Sequence, residues 1–271
     1  MSTIEIVEPG WATTIQDSGR PGFAAFGVPH SGPVDRQRHA MANRVVGNRP
    51  HTAAFETAGG LVVRAHGPAI VFVTDDVERR TLRAGDTVAV APGGRDGDRW
   101  RYVALRGGLD VPHVLGSASH DTLAGLGPSP LASRQQYALG RDPHTELLTD
   151  YAPVSRRVGV VSVWSGPQAS LFDGGLEQLT KRAWVVGDDV SRVGARLRGQ
   201  PFTRQSDEPL ASAGLVEGAV QITPSGEPIV MLANHPTTGG YPVIAVVDPA
   251  DLPIVGQANP GDQLRFRAVR S

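Results

Sequence analysis

Cysteine is absent from this chain of 271 residues. Its absence excludes disulfide bonds, thiolate metal sites, cysteine nucleophiles and thioester intermediates. Lysine is almost as rare, because Lys181 is the only lysine among 26 basic residues and the others are arginines. Lys181 does not stand between the methionines of a biotin attachment site, and the Gly-Lys-Ser/Thr run of an ATP-binding P-loop is missing. We therefore predict that this chain neither carries covalently bound biotin nor binds ATP through a P-loop.

Long hydrophobic runs and an excess of one charge are missing too. The longest apolar stretches, residues 69–73 and 243–247, are far shorter than the roughly 20 residues of a membrane helix. The first ten residues show no signal-peptide pattern, and 26 basic residues balance 27 acidic ones. The eight histidines lack metal-binding spacing. We expect a cytoplasmic protein that binds neither membranes nor nucleic acids and has no metal site of its own.

Glycine and proline, by contrast, are abundant, with 33 and 22 residues. Both are costly inside helices and common in tight turns. Runs rich in Val and Ile lie between them, for example residues 3–7, 69–74 and 220–223, and this spacing is typical of a sandwich or barrel. The clearest helix runs from a possible N-cap at Asp35 to Gly47, and a shorter one is expected near residues 176–182. We predict a mainly β fold of two β-rich modules, residues 1–95 and 96–271, with one short helix near residues 35–47.

Polar residues are concentrated just before the predicted helix. Residues 13–20 and 27–35 combine hydroxyl, amide, guanidinium and carboxylate groups with Gly and Pro turns, and such loops can direct several side chains at one ligand. The alternative is a structural loop held by Asp17 and Arg20, with Asp35 acting only as a helix cap. Residues 115–121 contain two serines, a histidine and an aspartate but no Gly-x-Ser-x-Gly turn, which favours a structural loop there.

Two segments of the second half also carry candidate site residues. Arg192 and Arg196 are four positions apart, and two neighbouring guanidinium groups suit a carboxylate or a phosphate. Pairing with Asp188 or Asp189 is the alternative. Residues 234–242 read Asn-His-Pro-Thr-Thr-Gly-Gly-Tyr-Pro between two apolar runs, a combination that suits an oxyanion or phosphate cradle. A plain wide turn is the alternative here.

These segments, in this order, resemble the allophanate hydrolase subunit 2 family. That family is also described as KipA-like, as the biotin-dependent carboxyltransferase-related domain and as the C subunit of 5-oxoprolinase. The resemblance rests on Thr14-Ile-Gln-Asp17, Gly19-Arg20, Gly27-Val-Pro29, Ser31-Gly32, Asp35, Ala42-Asn43, Gly47-Asn48, Gly107-Gly108, Leu115-Gly-Ser117, Gly166-Pro167, Ser191-Arg192, Gly194, Arg196-Leu197, Thr237-Thr-Gly-Gly-Tyr-Pro242, Gln257, Pro260-Gly-Asp262 and Phe266. It covers nearly the whole chain.

The resemblance implies that the second module is a cyclophilin-like β-barrel. It also implies that the chain is one component, the C subunit, of an ATP-dependent 5-oxoprolinase that opens 5-oxoproline to glutamate. Its partners would be a KipI-like protein (allophanate hydrolase subunit 1) and a LamB/YcsF-like protein, with ATP and Mg²⁺ used by the complex and this chain inactive alone. One alternative is a carboxyltransferase component that uses biotin carried by another chain, as in urea carboxylase. A second alternative is a non-catalytic, KipA-like regulatory protein.

The patterns and the resemblance together select the candidate site residues. The candidate catalytic residues are Asp17, Asp35, Arg192 and Tyr241. The candidate substrate-binding residues are Gln16, Arg20, Ser31, Asn43, Arg196, Gln221, Asn234, Thr237, Thr238, Gly239 and Gly240. Many relatives carry Asp and Gln where this chain has Asn234 and Pro236. Because Asn still donates and accepts hydrogen bonds, binding at position 234 is expected to survive better than proton transfer.

Overall fold

A computed structural model describes residues 2–74, 78–92, 97–147, 149, 159–206 and 209–269 of the chain. These residues form two compact units. The first unit contains the described residues up to 20 and those from 31 to 149, and the second contains residues 21–30 and those from 159 onward. Among the described residues, no helix is long and apolar enough to cross a membrane.

The first unit is a sandwich of two five-stranded sheets. Its elements are β1 (Thr3–Pro9), β2 (Thr14–Gln16), α1 (Arg36–Val45), β3 (Ala54–Thr57), β4 (Leu61–Ala65), β5 (Ala69–Val73), β6 (Arg80–Leu82), β7 (Thr87–Ala89), β8 (Arg101–Leu105), β9 (Leu109–Asp110) and β10 (Gln136–Leu139). One sheet has the order β7-β4-β1-β10-β9 and the other β2-β3-β8-β5-β6. Ile4 and Val63 of the first sheet and Phe55 and Val103 of the second belong to one buried core. The core therefore lies between the two sheets.

The second unit is built around a closed barrel of seven strands. Its elements are β11 (Val160–Ser165), α2 (Gly175–Thr180), β12 (Ala183–Val190), β13 (Gly194–Arg198), β14 (Ala213–Gly214), β15 (Ala219–Ile222), β16 (Pro228–Met231), β17 (Thr238–Gly239), β18 (Val243–Val247), α3 (Leu252–Gly256) and β19 (Gln263–Ala268). The barrel order is β11-β18-β15-β16-β13-β12-β19, and β14 and β17 form a separate two-stranded ribbon. Alternate residues such as Val220, Val230 and Leu197 fill the barrel. The predicted mainly β fold is confirmed.

The division between the units differs from the predicted modules. The predicted boundary at residues 95 and 96 lies outside the described residues. Residues 97–147 and 149 belong to the first unit, because β8 hydrogen-bonds between β3 and β5, and β10 hydrogen-bonds to β1. The second unit's continuous stretch thus begins about 60 residues later than the sequence suggested, and residues 21–30 also group with it.

Helix α1 confirms the predicted helix near residues 35–47. The side chain of Asp35 accepts hydrogen bonds from the backbone N–H of Gln37 and of Arg38, at 3.1 and 3.0 Å. Two of the four N–H groups that a helix start leaves unpaired are thereby satisfied. The chain leaves the helix through Gly47, whose φ of +77° favours glycine. Helix α2 matches the shorter helix expected near residues 176–182, whereas α3 was not predicted, since five residues are too few to show helical periodicity.

Candidate functional site

A cavity of about 350 Å³ opens on the outer surface of the barrel, over β13, β16 and β15. Apolar and polar groups meet in it: Ile229 and Met231 supply apolar surface, while Arg196 and Gln221 supply a guanidinium and a carboxamide. Pockets that bind small molecules usually combine an apolar lining with a few placed polar groups. This cavity is the candidate functional site of the second unit.

Strand register places the two polar side chains on either side of an apolar one. Arg196 on β13 is paired with Ile229 on β16, and Ile229 is paired with Gln221 on β15. Directly opposed residues of antiparallel strands have Cβ atoms about 5 Å apart on the same face of the sheet. Arg196, Ile229 and Gln221 therefore form one row across three strands, which we call the Arg–Ile–Gln row.

Two carboxylates flank the guanidinium of Arg196. Its Nη1 donates to Oε2 of Glu227 at 3.2 Å, and its Nε lies 3.6 Å from Oδ2 of Asp189. Asp189 is mostly exposed, with 83% of its side chain accessible, whereas Glu227 is about one-third exposed. The Glu227 contact is the better defined of the two, because a 3.6 Å approach at a solvated surface is weak. The sequence analysis gave pairing of Arg196 with Asp189 as the alternative to ligand binding. The structure contains this pairing, and both residues also line the cavity.

The loop that follows β16 forms one wall of the cavity. Pro236, Gly239, Gly240 and Tyr241 all line it, and Gly239 lies on β17, which pairs with β14. The carboxamide of Gln221 donates from Nε2 to the carbonyl of Tyr241 at 3.0 Å. This bond connects the Arg–Ile–Gln row to the wall. The same carboxamide carries an oxygen that can accept a hydrogen bond from a ligand.

Glycine is required at one wall position by close packing. A Cβ on Gly239 would lie 2.7 Å from Cδ1 of Leu215 and 2.9 Å from Nε2 of Gln221. Both distances are shorter than a normal carbon contact, so a side chain there would displace Gln221 or Leu215. The neighbouring Gly240 has room, because a Cβ there would meet only Oγ of Ser212, at 3.8 Å. The remaining candidates of the loop, Thr237 and Thr238, take part through the backbone, Thr237 accepting from the N–H of Leu215 and Thr238 pairing in β17.

Arg192 and Asn234 contact each other and do not line the cavity, although both were predicted to act on the substrate. Nε of Arg192 donates to Oδ1 of Asn234 at 2.6 Å, and both side chains are buried. The backbone N–H of Asn234 donates to the carbonyl of Arg192 at 2.9 Å. Only Arg196 of the two arginines lines the cavity, because the side chain of Arg192 is buried against Asn234. Arg192 is therefore suited to fixing the turn and the start of the wall loop.

In the first unit, Asp17 is surrounded by hydrogen-bond donors. Its carboxylate accepts from Oγ of Ser119 and the N–H of Ala118, each at 2.7 Å, from the N–H of Gly19 at 2.9 Å, and from Oγ of Ser117. Burial alone would raise the pKa of Asp17, but these four hydrogen bonds together lower it. These contacts join residues 17–19 to residues 117–119. Asp17 therefore has the role of the alternative given in the sequence analysis, in which it holds a structural loop.

The other polar candidates of this segment contact the same loop. Gln16 donates from Nε2 to the carbonyl of His120 at 3.1 Å, and Oγ of Ser31 donates to that carbonyl at 3.0 Å. Arg20, which is 1% exposed, donates to the carbonyls of Val114 and Ser119. Gln16, Asp17, Arg20 and Ser31 are thus brought together, around the backbone of residues 114–120. The serines and Asp121 of that stretch form the structural loop that the missing Gly-x-Ser-x-Gly turn indicated.

A buried group centred on Tyr102 was not anticipated. Its hydroxyl donates to Oε2 of Glu56 at 2.8 Å and accepts from the N–H of Asp35 at 2.7 Å. Glu56 also accepts from the N–H of Val34, at 2.8 Å. Burial, with the nearby charges of Glu56 and Asp35, raises the pKa of Tyr102 well above its usual value of 10.0. No local sequence signal points to this group, because its members are up to 68 residues apart (34 and 102).

Asn43 has a structural environment as well. Its side-chain amide donates to the carbonyl of Thr52 at 2.9 Å, and its Oδ1 accepts from Nδ2 of Asn48 at 3.0 Å. Asn48 in turn donates to the carbonyl of Leu105 at 2.7 Å. These contacts fix the end of α1 to β8. In the part of the chain that the structure describes, no three His, Asp or Glu side chains are grouped in a way that could hold a metal ion.

Comparison with known proteins identifies the family. The model of the family described as "Carboxyltransferase domain, subdomain A and B" matches residues 26–268. The chain belongs to this carboxyltransferase domain family. The resemblance found in the sequence is thereby confirmed, and the two units of the fold belong to one family module.

Among relatives of known sequence, the 5-oxoprolinase C subunit of Escherichia coli (strain K12) is 31% identical over 281 residues, which cover 97% of this chain and 90% of that protein. The urea amidolyase of Saccharomyces cerevisiae is 30% identical over 305 residues, covering 98% of this chain but 16% of that protein. The chain is therefore similar to nearly the whole of the Escherichia coli protein and to a small part of the much longer yeast enzyme.

Solved structures show the same fold. The crystal structure of TTHA0988 matches with a TM-score of 0.87 and 28% identity, covering 98% of this chain and 56% of that one. The urea amidolyase of Kluyveromyces lactis matches with a TM-score of 0.88 and 26% identity, covering 99% of this chain and 19% of that one. The chain thus spans about half of TTHA0988 and about a fifth of the urea amidolyase.

Proposed function

We propose that this chain is the C subunit of an ATP-dependent 5-oxoprolinase, which opens 5-oxoproline to glutamate together with a KipI-like protein and a LamB/YcsF-like protein. The proposal is supported by the near-complete match to the 5-oxoprolinase C subunit of Escherichia coli. It rests on one structural observation above all, the Arg–Ile–Gln row on the surface of the barrel.

The chemistry of 5-oxoproline suits the Arg–Ile–Gln row. This small ring compound carries a carboxylate, a lactam N–H and carbonyl, and two ring methylenes between them. The guanidinium of Arg196 matches the carboxylate, and the carboxamide of Gln221 matches the lactam, with Ile229 between them for the methylenes. A cavity of about 350 Å³ is ample for such a compound.

An unactivated lactam resists hydrolysis, so the reaction needs coupling to ATP. ATP would phosphorylate the lactam oxygen with release of ADP. One water would then add to the lactam carbon and the C–N bond of the ring would break, and a second water would release phosphate from the resulting acyl phosphate. The sequence holds no P-loop, and we assign ATP and its Mg²⁺ to the assembled complex. This chain's part is to bind and orient the lactam, with Arg196 holding the carboxylate and the half-exposed Tyr241 placing a phenol at the cavity wall. We infer that the chain is inactive alone.

Reconstitution tests the proposal. This chain, the KipI-like protein and the LamB/YcsF-like protein, mixed after purification, should hydrolyse ATP only when 5-oxoproline is added, and omission of any one should abolish the activity. Arg196→Met should reduce kcat/KM for 5-oxoproline at least tenfold, because the charge partner of the carboxylate is lost. Arg198→Met is the matched control: it lies two residues further along β13 and pairs with the exposed Asp188. If the Arg196→Met variant has the same kcat/KM as the wild type, Arg196 does not bind the substrate.

A second candidate function follows from the family itself. The carboxyltransferase domain match and the likeness to urea amidolyases favour transfer of a carboxyl group from biotin to a urea-like acceptor. Biotin would have to come from another chain, because this sequence has no attachment site. Avidin added to the active complex separates the two functions: inhibition supports the biotin route, and unchanged activity supports the lactam route. Binding of the KipI-like protein without any turnover would support the KipA-like regulatory alternative instead.

A further inference from the structure

The carboxamide of Gln221 is held in one orientation at the cavity wall. Its Nε2 donates to the carbonyl oxygen of Tyr241 at 3.0 Å. A carbonyl oxygen can only accept a hydrogen bond, so the nitrogen end of the carboxamide must face it. The flipped carboxamide would set two oxygens against each other. The oxygen end, Oε1, therefore has a fixed place on the other side of the group.

Close packing adds to this constraint. Gln221 is 3% exposed and lies on β15, where it is paired with Ile229 on one side and with Val243 on the other. A Cβ on Gly239 would lie 2.9 Å from Nε2, so the wall loop adjoins the nitrogen end directly. A side chain confined in this way has few rotamers open to it. The carboxamide is thus preorganised, and a ligand can bind it with little further loss of side-chain entropy.

The oxygen end of this carboxamide is available to a ligand. No described residue donates a hydrogen bond to Oε1 of Gln221, and the atom is not fully buried. Gln221 lines the cavity together with the other two members of the Arg–Ile–Gln row. A nearly buried acceptor is costly unless water or a ligand supplies a donor. Gln221 therefore presents to the cavity an acceptor that suits an N–H or O–H group.

We propose that Gln221 is a specificity-determining residue, whose Oε1 accepts a hydrogen bond from the ring N–H of 5-oxoproline and thereby selects lactams against lactones. A lactone has a ring oxygen at that position, and its lone pairs would face those of Oε1. A site built to bind a substrate N–H rejects an analogue that lacks it, because the buried acceptor is then left without a partner. The inference rests on the proposed function, since it concerns the ligand of the same cavity.

Arg196 provides no such discrimination, although it belongs to the same row. Its guanidinium matches the carboxylate, which the lactam and the lactone share. The two residues should therefore have separable effects. Loss of Arg196 should lower the affinity for both compounds, whereas loss of Gln221 should remove the difference between them.

Titration calorimetry of the assembled complex, with a non-hydrolysable ATP analogue present, tests this inference. The ligands are 5-oxoproline and the γ-lactone of 2-hydroxyglutarate, which has a ring oxygen in place of the N–H. The wild-type complex should bind the lactam at least about tenfold more tightly. Gln221→Met keeps the length of the side chain without its hydrogen bonds, and should weaken lactam binding until the two affinities agree within about twofold. Arg196→Met is the matched control, and should weaken both ligands by a similar factor.

The outcomes separate this inference from the proposed function. Equal wild-type affinities for the two ligands, or a Gln221→Met complex that keeps the wild-type preference, overturn the inference and leave the proposed function intact. A wild-type complex that hydrolyses no ATP in the presence of 5-oxoproline overturns the proposed function, and the inference with it. If the melting temperature shows that Gln221→Met does not fold, Gln221→Asn takes its place, because it retracts the carboxamide from the row by one methylene. Loss of the preference in either variant, with its retention in Arg196→Met, supports the inference.

Discussion

Arg192 and Asn234 form a buried pair in which Nε of the arginine donates to Oδ1 of the amide over 2.6 Å. The backbone N–H of Asn234 returns a hydrogen bond to the carbonyl of Arg192. Two bonds in opposite directions join the turn before β13 to the loop that continues into the cavity wall. A neutral acceptor therefore holds a buried guanidinium that is 3% exposed, and the position of the wall depends on this contact.

Replacing the acceptor should destabilise the second unit. Asn234→Leu keeps the approximate volume but removes the acceptor of Arg192 Nε, and an unsatisfied buried donor costs about 1–3 kcal/mol, with a larger cost when the group is charged. Asn234→Asp keeps an oxygen at the same place and should lose much less stability. Urea unfolding followed by circular dichroism measures both variants. Equal stability of Asn234→Leu and wild type would show that the pair contributes nothing measurable.

The sequence predicted those features that depend on neighbouring residues. The helix near residues 35–47 is marked by an N-cap aspartate at one end and a glycine of positive φ at the other, and both act within a few residues. Mainly β structure follows from Val- and Ile-rich runs between turns. The glycines of residues 239–240 were recognised as candidate site residues, although the sequence does not distinguish the crowded Gly239 from the open Gly240.

Contacts between distant residues could not be predicted. Asp17 and its serine donors are about 100 residues apart, so nothing local distinguishes a structural carboxylate from a catalytic one. The contribution of Glu227 to the site depends on how β16 pairs with β13, and a shift of one residue would reverse every side chain. The spacing of Arg192 and Arg196 suggested a joint clamp, but Arg192 is buried against Asn234, about 40 residues further along the chain, whereas Arg196 lines the cavity.

Gly239→Ala should impair substrate binding without unfolding the barrel. The added methyl group would lie within 3 Å of Gln221 Nε2 and of Leu215, so we expect the carboxamide to move out of the Arg–Ile–Gln row. In the reconstituted complex, kcat/KM for 5-oxoproline should fall about tenfold, equivalent to about 1.4 kcal/mol of transition-state stabilisation. Gly240→Ala adds the same group where the nearest atom is 3.8 Å away. A similar loss in both variants would indicate a general effect of alanine in the loop.

Asp189→Asn should strengthen binding of an anionic substrate. Asp189 lies 3.6 Å from Arg196 and competes with a substrate carboxylate for the guanidinium. Because this carboxylate is largely solvated, the effect is modest, about a two- to fivefold lower KM at low salt with little change in kcat. The difference should shrink at about 0.5 M salt. Asp188→Asn is the control, since Asp188 pairs with Arg198 instead, at 2.7 Å. A raised KM in Asp189→Asn would mean that the carboxylate assists binding.

Stability should fall on mild acidification because of His39. Its Nε2 donates to the carbonyl of Gln16 at 3.0 Å, and the imidazole is 2% exposed. Burial lowers the pKa of His39 from its usual 6.5, although its hydrogen bonds and the charges of Glu56 and Asp17 act in the opposite direction. Well above pH 6.5 the imidazole is neutral in both the folded and the unfolded chain, so it adds no pH dependence there.

Below pH 6.5 the unfolded chain binds a proton that the folded chain does not. The free energy of unfolding therefore decreases as the pH falls from 6.5 to the lowered pKa of the folded state, with a slope of up to about 1.4 kcal/mol per pH unit. His39→Gln retains a side-chain donor for the Gln16 carbonyl but cannot titrate, so its curve should be flatter over this range. Urea unfolding of both proteins between about pH 5 and 8 measures the two slopes. Parallel curves would show that His39 does not set this dependence, even if the variant is less stable at every pH.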